Sequence, residues 1–390
     1  MSSTHAREGG RLLQVGQPQE AVKSFQKGLA IDPDDVECLL GLVRTYLSTG
    51  AAADAETAAL RLLKVKPDHA EGQAHLAMLR AQAGSAEALE ALKALASAPT
   101  AGYFERFNLG GLLLDRGDLE GAKAAYESAL QVAPGSAHVH FELGRIGLAQ
   151  GQAGAAVTHF QKASEAAPQE AMPLLMLSRA HAAQGSLGLG IQAGTQALEK
   201  AQGGLRRAVL EDLFKLYLSG GSPEGAKRTA QELRQFDPSH VNYVYMHGLA
   251  MMSAAQFPEA KALFEEALRL APRSWQTLQA LAQMHGALGE RAEMRRRMEE
   301  AVALVPTELG PVNDLALLLM QDDQHAAAKP LLERALAAHP EDATTHLNMA
   351  VATFLTDRQA CIHHAQKALA LGEGVVREQA ERLLKTLNAG

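Results

Sequence analysis

Cysteine is scarce in this 390-residue sequence: Cys38 and Cys361 lie near opposite ends and build neither a disulfide framework nor a zinc motif. Aromatic residues make up only 4% of the chain, and the runs of β-branched residues that mark strands are missing. No stretch of about 18 apolar residues occurs, and the opening MSSTHAREGGRLLQ has no apolar core of a signal peptide. Membrane insertion is therefore not expected, and a reducing, cytoplasmic location is. Charge of one sign is not concentrated either. The net charge of −7 is spread evenly, with 17 basic and 21 acidic residues in 1–202 and 20 and 23 in 203–390. Neither half carries a basic footprint, so nucleic-acid binding is not expected.

Catalytic patterns are absent as well. The sequence has no G-x-S-x-G, no phosphate-loop lysine and no H-E-x-x-H. Fifteen histidines include no i, i+4 pair. Cys361 and His364 stand at i, i+3, but two ligands do not close a zinc site. The run MRRRMEE (294–300) is flanked by Glu290 and Glu293, at spacings that favour a solvated, charge-paired helix face. The expectation is a non-enzyme with no metal and no cofactor.

Apolar residues nevertheless reach 47%, dominated by alanine and leucine, and they recur with a long period. Prolines close Ala-Leu-type helix ends at Pro33, Pro67, Pro99, Pro134, Pro168, Pro238, Pro272, Pro306 and Pro340. Most are 34 residues apart, and the gap from Pro168 to Pro238 is 70, two periods plus two residues. Numbering each repeat so that its proline is position 32 aligns the rest. In repeat four, Gly110 stands at 8, Gly117 at 15, Ala122 at 20 and Tyr126 at 24; in repeat five, Gly144, Gly151, Ala156 and Phe160 take these places. Glycine near 15 ends a first helix, A, because it adopts positive φ cheaply. Proline at 32 stops a second helix, B. Small residues at 8 and 20 let the two approach. One such pair cannot bury its apolar face, so neighbours must stack.

The pattern resembles the tetratricopeptide repeat, over essentially the whole chain and in about eleven repeats. The resemblance implies an all-α fold, a right-handed α-solenoid of helix-turn-helix repeats. The domain expectation is repeats one to six over 1–202, with repeat six degenerate, repeats seven to eleven over 203–373, and a capping helix over 374–390. In that last segment Val376, Ala380, Leu383, Leu384 and Leu387 share one helical stripe.

The resemblance also implies that positions 2, 5, 9, 12 and 13 of helix A face a concave groove. Carried onto this sequence, position 9 supplies Arg44, Arg145, Arg179 and Lys215, the last three in adjacent repeats. Position 5 supplies Phe107, Phe141, Leu175 and Tyr245, position 12 supplies Leu114 and Leu148, and position 2 supplies Phe104, His138 and Met172. The expected partner is a protein or peptide segment with apolar anchors and carboxylates, bound in the groove. The carboxylate clamp of chaperone-binding repeats is not matched: Asn108 and Asn348 occupy position 6, but lysine is missing from position 5 and asparagine from position 9. The expected role is a scaffold, with an assembly or secretion chaperone and a substrate-recruiting subunit of a separate glycosyltransferase as alternatives.

One stretch, QGSLGLGIQAG (184–194), looks like a phosphate loop, but a helix precedes it rather than a strand. In register, Gly190 stands where alanine is usual and Gly194 where Phe160 and Phe264 stand elsewhere. Together with Gly188, Gly203 and Gly204, these glycines are expected to make repeat six a weak joint, a hinge.

Overall fold

The computed structural model describes residues 2–389. Among these residues it is all-helical, with 23 α-helices and no strand. Two compact units divide the chain, Met1–Ala201 and Gln202–Gly390.

The first unit holds six helix pairs. They are α1 (Ser2–Gln14) with α2 (Pro18–Ile31), α3 (Val36–Ser48) with α4 (Ala52–Val65), and α5 (Ala70–Gln82) with α6 (Ala86–Ser97). Then come α7 (Tyr103–Asp115) with α8 (Leu119–Val132), α9 (Ala137–Ala149) with α10 (Ala153–Ala166), and α11 (Ala171–Ala183) with α12 (Leu187–Lys200). The second unit has five pairs and a final helix. Its pairs are α13 (Gly203–Ser219) with α14 (Pro223–Phe236), α15 (Val241–Ser253) with α16 (Phe257–Leu270), α17 (Trp275–Ala287) with α18 (Arg291–Leu304), α19 (Leu309–Gln321) with α20 (His325–Ala338), and α21 (Ala343–Thr353) with α22 (Arg358–Leu371); α23 (Gly374–Ala389) follows.

The turn inside every pair but α21–α22 holds a left-handed residue, and Gly117, at φ +78°, shows why glycine recurs there. Ala255 and Asp323 hold the same conformation at φ 56° and 57° without that freedom. Between pairs, side chains such as Asp35, Ser136 and Asp342 accept from backbone N–H groups three residues on and cap the next helix.

In six repeats helix A packs on its own B helix through two facing positions whose sizes trade. A Cβ at Gly110 would fall 2.7 Å from the Tyr126 ring, and one at Gly144 would fall 2.7 Å from the Phe160 ring. Gly9 faces Phe25 and Gly248 faces Phe264 in the same way. Where position 8 is large, position 24 is small: Phe214 with Ala230, Val43 with Ala59. In repeat six both are small, Ser178 and Gly194, and the Ser178 hydroxyl donates to the Gly190 carbonyl at 2.7 Å. The α12 helix is continuous through its glycines, with Gly190 and Gly194 buried.

Helix α13 is 17 residues long against 13 for most other A helices, and its extra turn starts at Gly203, φ 54°. At the end of the second unit, α23 buries Ala380 and Leu387, with Val376, Leu383 and Leu384 packed beside them.

Candidate functional site: the A-helix face of the first unit

Helix A of each repeat directs positions 2, 5 and 9 to one face, because they are spaced i, i+3, i+7. In the first unit that face collects aromatic rings. Phe107 stacks on Tyr103, with centroids 5.4 Å apart, and tilts against Tyr126 at 5.6 Å. Phe141 meets Phe160 edge-on at 5.7 Å. Phe107 and Phe141, both half-buried, are thus each braced by a buried ring on helix B. Tyr245 stands 5.5 Å from Phe264 in the same relation, within the second unit.

Leu175 differs. Expected as a groove anchor, it is only 2% exposed and belongs to the core. The residue opposite explains this: repeat six has Gly194 where Tyr126 and Phe160 hold the position-5 ring outward. Leu114 and Leu148 are half-buried, and Leu114 packs into the core around Tyr126.

A polar chain crosses three A helices of this unit. Arg44 on α3 donates two parallel hydrogen bonds to Glu71 on α5, at 2.7 and 2.8 Å. His75 Nε2 lies 3.3 Å from the same carboxylate, and its Nδ1 lies 3.0 Å from the Asn108 amide on α7. Burial pushes the Glu71 carboxyl upward, but the hydrogen bonds from His75 and Arg44 outweigh it and hold it below the usual range. So fixed, Arg44 lies 5.0 Å over the Phe104 ring. Asn108, at position 6, is therefore consumed within the solenoid. Asn348 behaves alike in the second unit, donating to Asn313 at 2.8 Å. The two asparagines that do match the carboxylate clamp are thus engaged inside the solenoid.

The other cations of the expected basic row have neighbours too. Arg145 pairs with Glu142 at 2.8 Å, Arg179 approaches the Met176 sulfur at 3.8 Å, and Lys215, in the second unit, lies 3.7 Å from Asp212. These carboxylates cancel much of the positive field that spacing alone suggested.

Two clefts open on the face. One, of about 400 Å³, is lined by Arg44, His75, Met78, Phe104, Phe107 and Asn108. The other, of about 230 Å³, lies between Phe107, Phe141, Met172 and the carboxylates Glu142 and Glu170, and His138 borders both. A larger cleft of about 580 Å³ between α4, α5 and α6 is walled by alanine and leucine, with Gln73 and Arg80 as its polar members. The aromatic members were legible from the register; Glu71, His75 and Glu170 were not, since nothing in their spacing distinguishes them from solvated helix residues. Among the described residues, no group of three or more potential metal ligands is assembled, and no helix is long and apolar enough to cross a membrane.

Helix pairs stacked at a 34-residue period, with a braced aromatic face on the A helices, define an α-solenoid of the protein-interaction class. One tetratricopeptide-repeat family model matches residues 12–83, and another matches 107–171 and 313–360. The chain is a tetratricopeptide-repeat protein, of a family that is generally non-catalytic. No curated protein matches its sequence. Among solved structures, yeast Tom70 aligns over 100% of this chain and 96% of its own, at 14% identity and a TM-score of 0.52. A tetratricopeptide repeat protein from Parabacteroides merdae covers 73% of this chain and 98% of its own, at 18% identity and 0.48. PilW, a type IV pilus biogenesis factor, covers 54% and 98%, at 20% identity and 0.43. At such identities the likeness to Tom70 concerns the fold alone.

Proposed function

We propose that this protein is a non-enzymatic scaffold that holds a segment of a partner protein against the A-helix face of its first unit. The observation that carries this reading is the pair of adjoining clefts that share Phe107 and His138. Half-exposed rings in a row are costly to leave in water and are held rigid by Tyr126 and Phe160, so little ordering entropy is lost when a partner covers them. Apolar anchoring therefore leads, and charge refines it. An extended or helical segment presenting an apolar side chain to the larger of the two clefts fits this face.

Affinity capture from the native host tests the reading with the wild-type chain and a Phe104→Ala/Met172→Ala variant, since both side chains are solvent-accessible. Partners captured by the wild type are expected to be lost or at least about tenfold depleted with the variant, as truncating two interface anchors does. Equal recovery at unchanged helicity would refute the placement. Reversing Arg145, Arg179 and Lys215 to glutamate is expected to weaken capture less than the double truncation.

A further inference from the structure

The smaller cleft carries more specific chemistry than an apolar anchor site. Resting on the groove reading above, we infer that the cleft between α7, α9 and α11 takes an arginine side chain of the bound partner. Its walls are the Phe107 and Phe141 rings with Met172, which is 41% exposed. Its polar members are two carboxylates and the His138 imidazole at its border. Glu142 is engaged by Arg145 at 2.8 Å, but Glu170 makes no capping hydrogen bond and no side-chain ion pair among the described residues. Of the two glutamates and Arg145, one negative charge is left uncompensated beside two aromatic faces.

That combination selects a cation. An apolar side chain seated here would strip water from Glu170 without replacing it, and an anion would be repelled. A guanidinium gains on both counts, because it stacks on aromatic faces and donates to a carboxylate in a planar fork. The protein builds the same arrangement for itself one cleft away: Arg44 lies over Phe104 at 5.0 Å while Glu71 accepts its two parallel hydrogen bonds. At about 230 Å³ the cleft falls below the roughly 300–1,000 Å³ of small-molecule sites, which suits one long side chain. The nearby cations do not oppose this, for Arg145 is turned to Glu142 and Arg179 approaches Met176.

A library of randomised 12-residue peptides, selected on the full-length chain and counter-selected on the Phe104→Ala/Met172→Ala variant, provides the probe. Selected peptides are expected to share an arginine beside an apolar residue. Replacing that arginine by citrulline, which keeps the shape and removes the charge, is expected to weaken binding about tenfold or more. Glu170→Gln is expected to erase most of that difference with an unchanged melting curve, because the side chain has no structural bond to lose. Lysine performing as well as arginine would overturn the guanidinium assignment. Peptides that bind through the aromatic face with no preference for a cation would overturn this inference and leave the groove reading standing. No face-dependent binder at all would overturn both.

Discussion

Two histidine pairs recur at matching places in the two units. His140 Nε2 donates to the Pro134 carbonyl at 3.0 Å, which leaves its Nδ1 bare to accept from His159 Nδ1 at 3.1 Å. His346 repeats the arrangement with Pro340 and His364, both at 2.9 Å. Burial pushes His140, His159 and His364 downward, His364 to about 4, where the nearby His346, His363 and Lys329 add to the effect. These groups bind protons more readily when unfolded, at about 6.5. Stability from them is complete above about pH 6.5 and is lost as pH falls toward about 4. Melting temperature should therefore drop through that window, and His364→Asn, which can still donate to His346, should flatten the slope. An unchanged slope would contradict the assignment. The pairs were not legible in the sequence, because His140 and His159 lie on different helices and only the packing of α9 on α10 brings them together.

At the scale of the helix, the period made the A and B elements legible, since glycine turns and closing prolines punctuate them. What it could not supply is the compensation between facing positions. Gly194 in place of a ring is read from sequence as a weak joint, and the structure joins the two helices there through the Ser178 hydroxyl and the Gly190 carbonyl. Leu175 was misplaced for the same reason. The extra turn of α13 was also hidden, because AQGG at 201–204 reads as a break. Interior glycines still cost helix stability, about 0.5–1 kcal/mol each relative to alanine. We accordingly propose that α12 opens more readily than α10, and its amides should exchange faster. Gly188 has open space where a Cβ would stand, so Gly188→Ala should slow that exchange and stabilise by about 0.5–1 kcal/mol. Equal protection in α10 and α12 would remove the basis for a hinge among Gly188, Gly190, Gly194, Gly203 and Gly204.

For the molecule as a whole, the repeat resemblance made the fold class legible from the prolines and glycines alone. The candidate site was legible only in outline. Phe104, Phe107 and Phe141 follow from register, whereas the carboxylates that pair with Arg44 and Arg145 depend on how successive A helices stack. The central claim is that this A-helix face of the first unit is where the partner sits. Site-specific photo-crosslinking in the native host tests it most directly, with a benzophenone side chain placed at His138 or Met172 on the face, or at Ala124 or Thr158, exposed on the B helices α8 and α10. The account predicts discrete crosslinked adducts from the first two positions and none from the others. Adducts confined to Ala124 and Thr158 would contradict it.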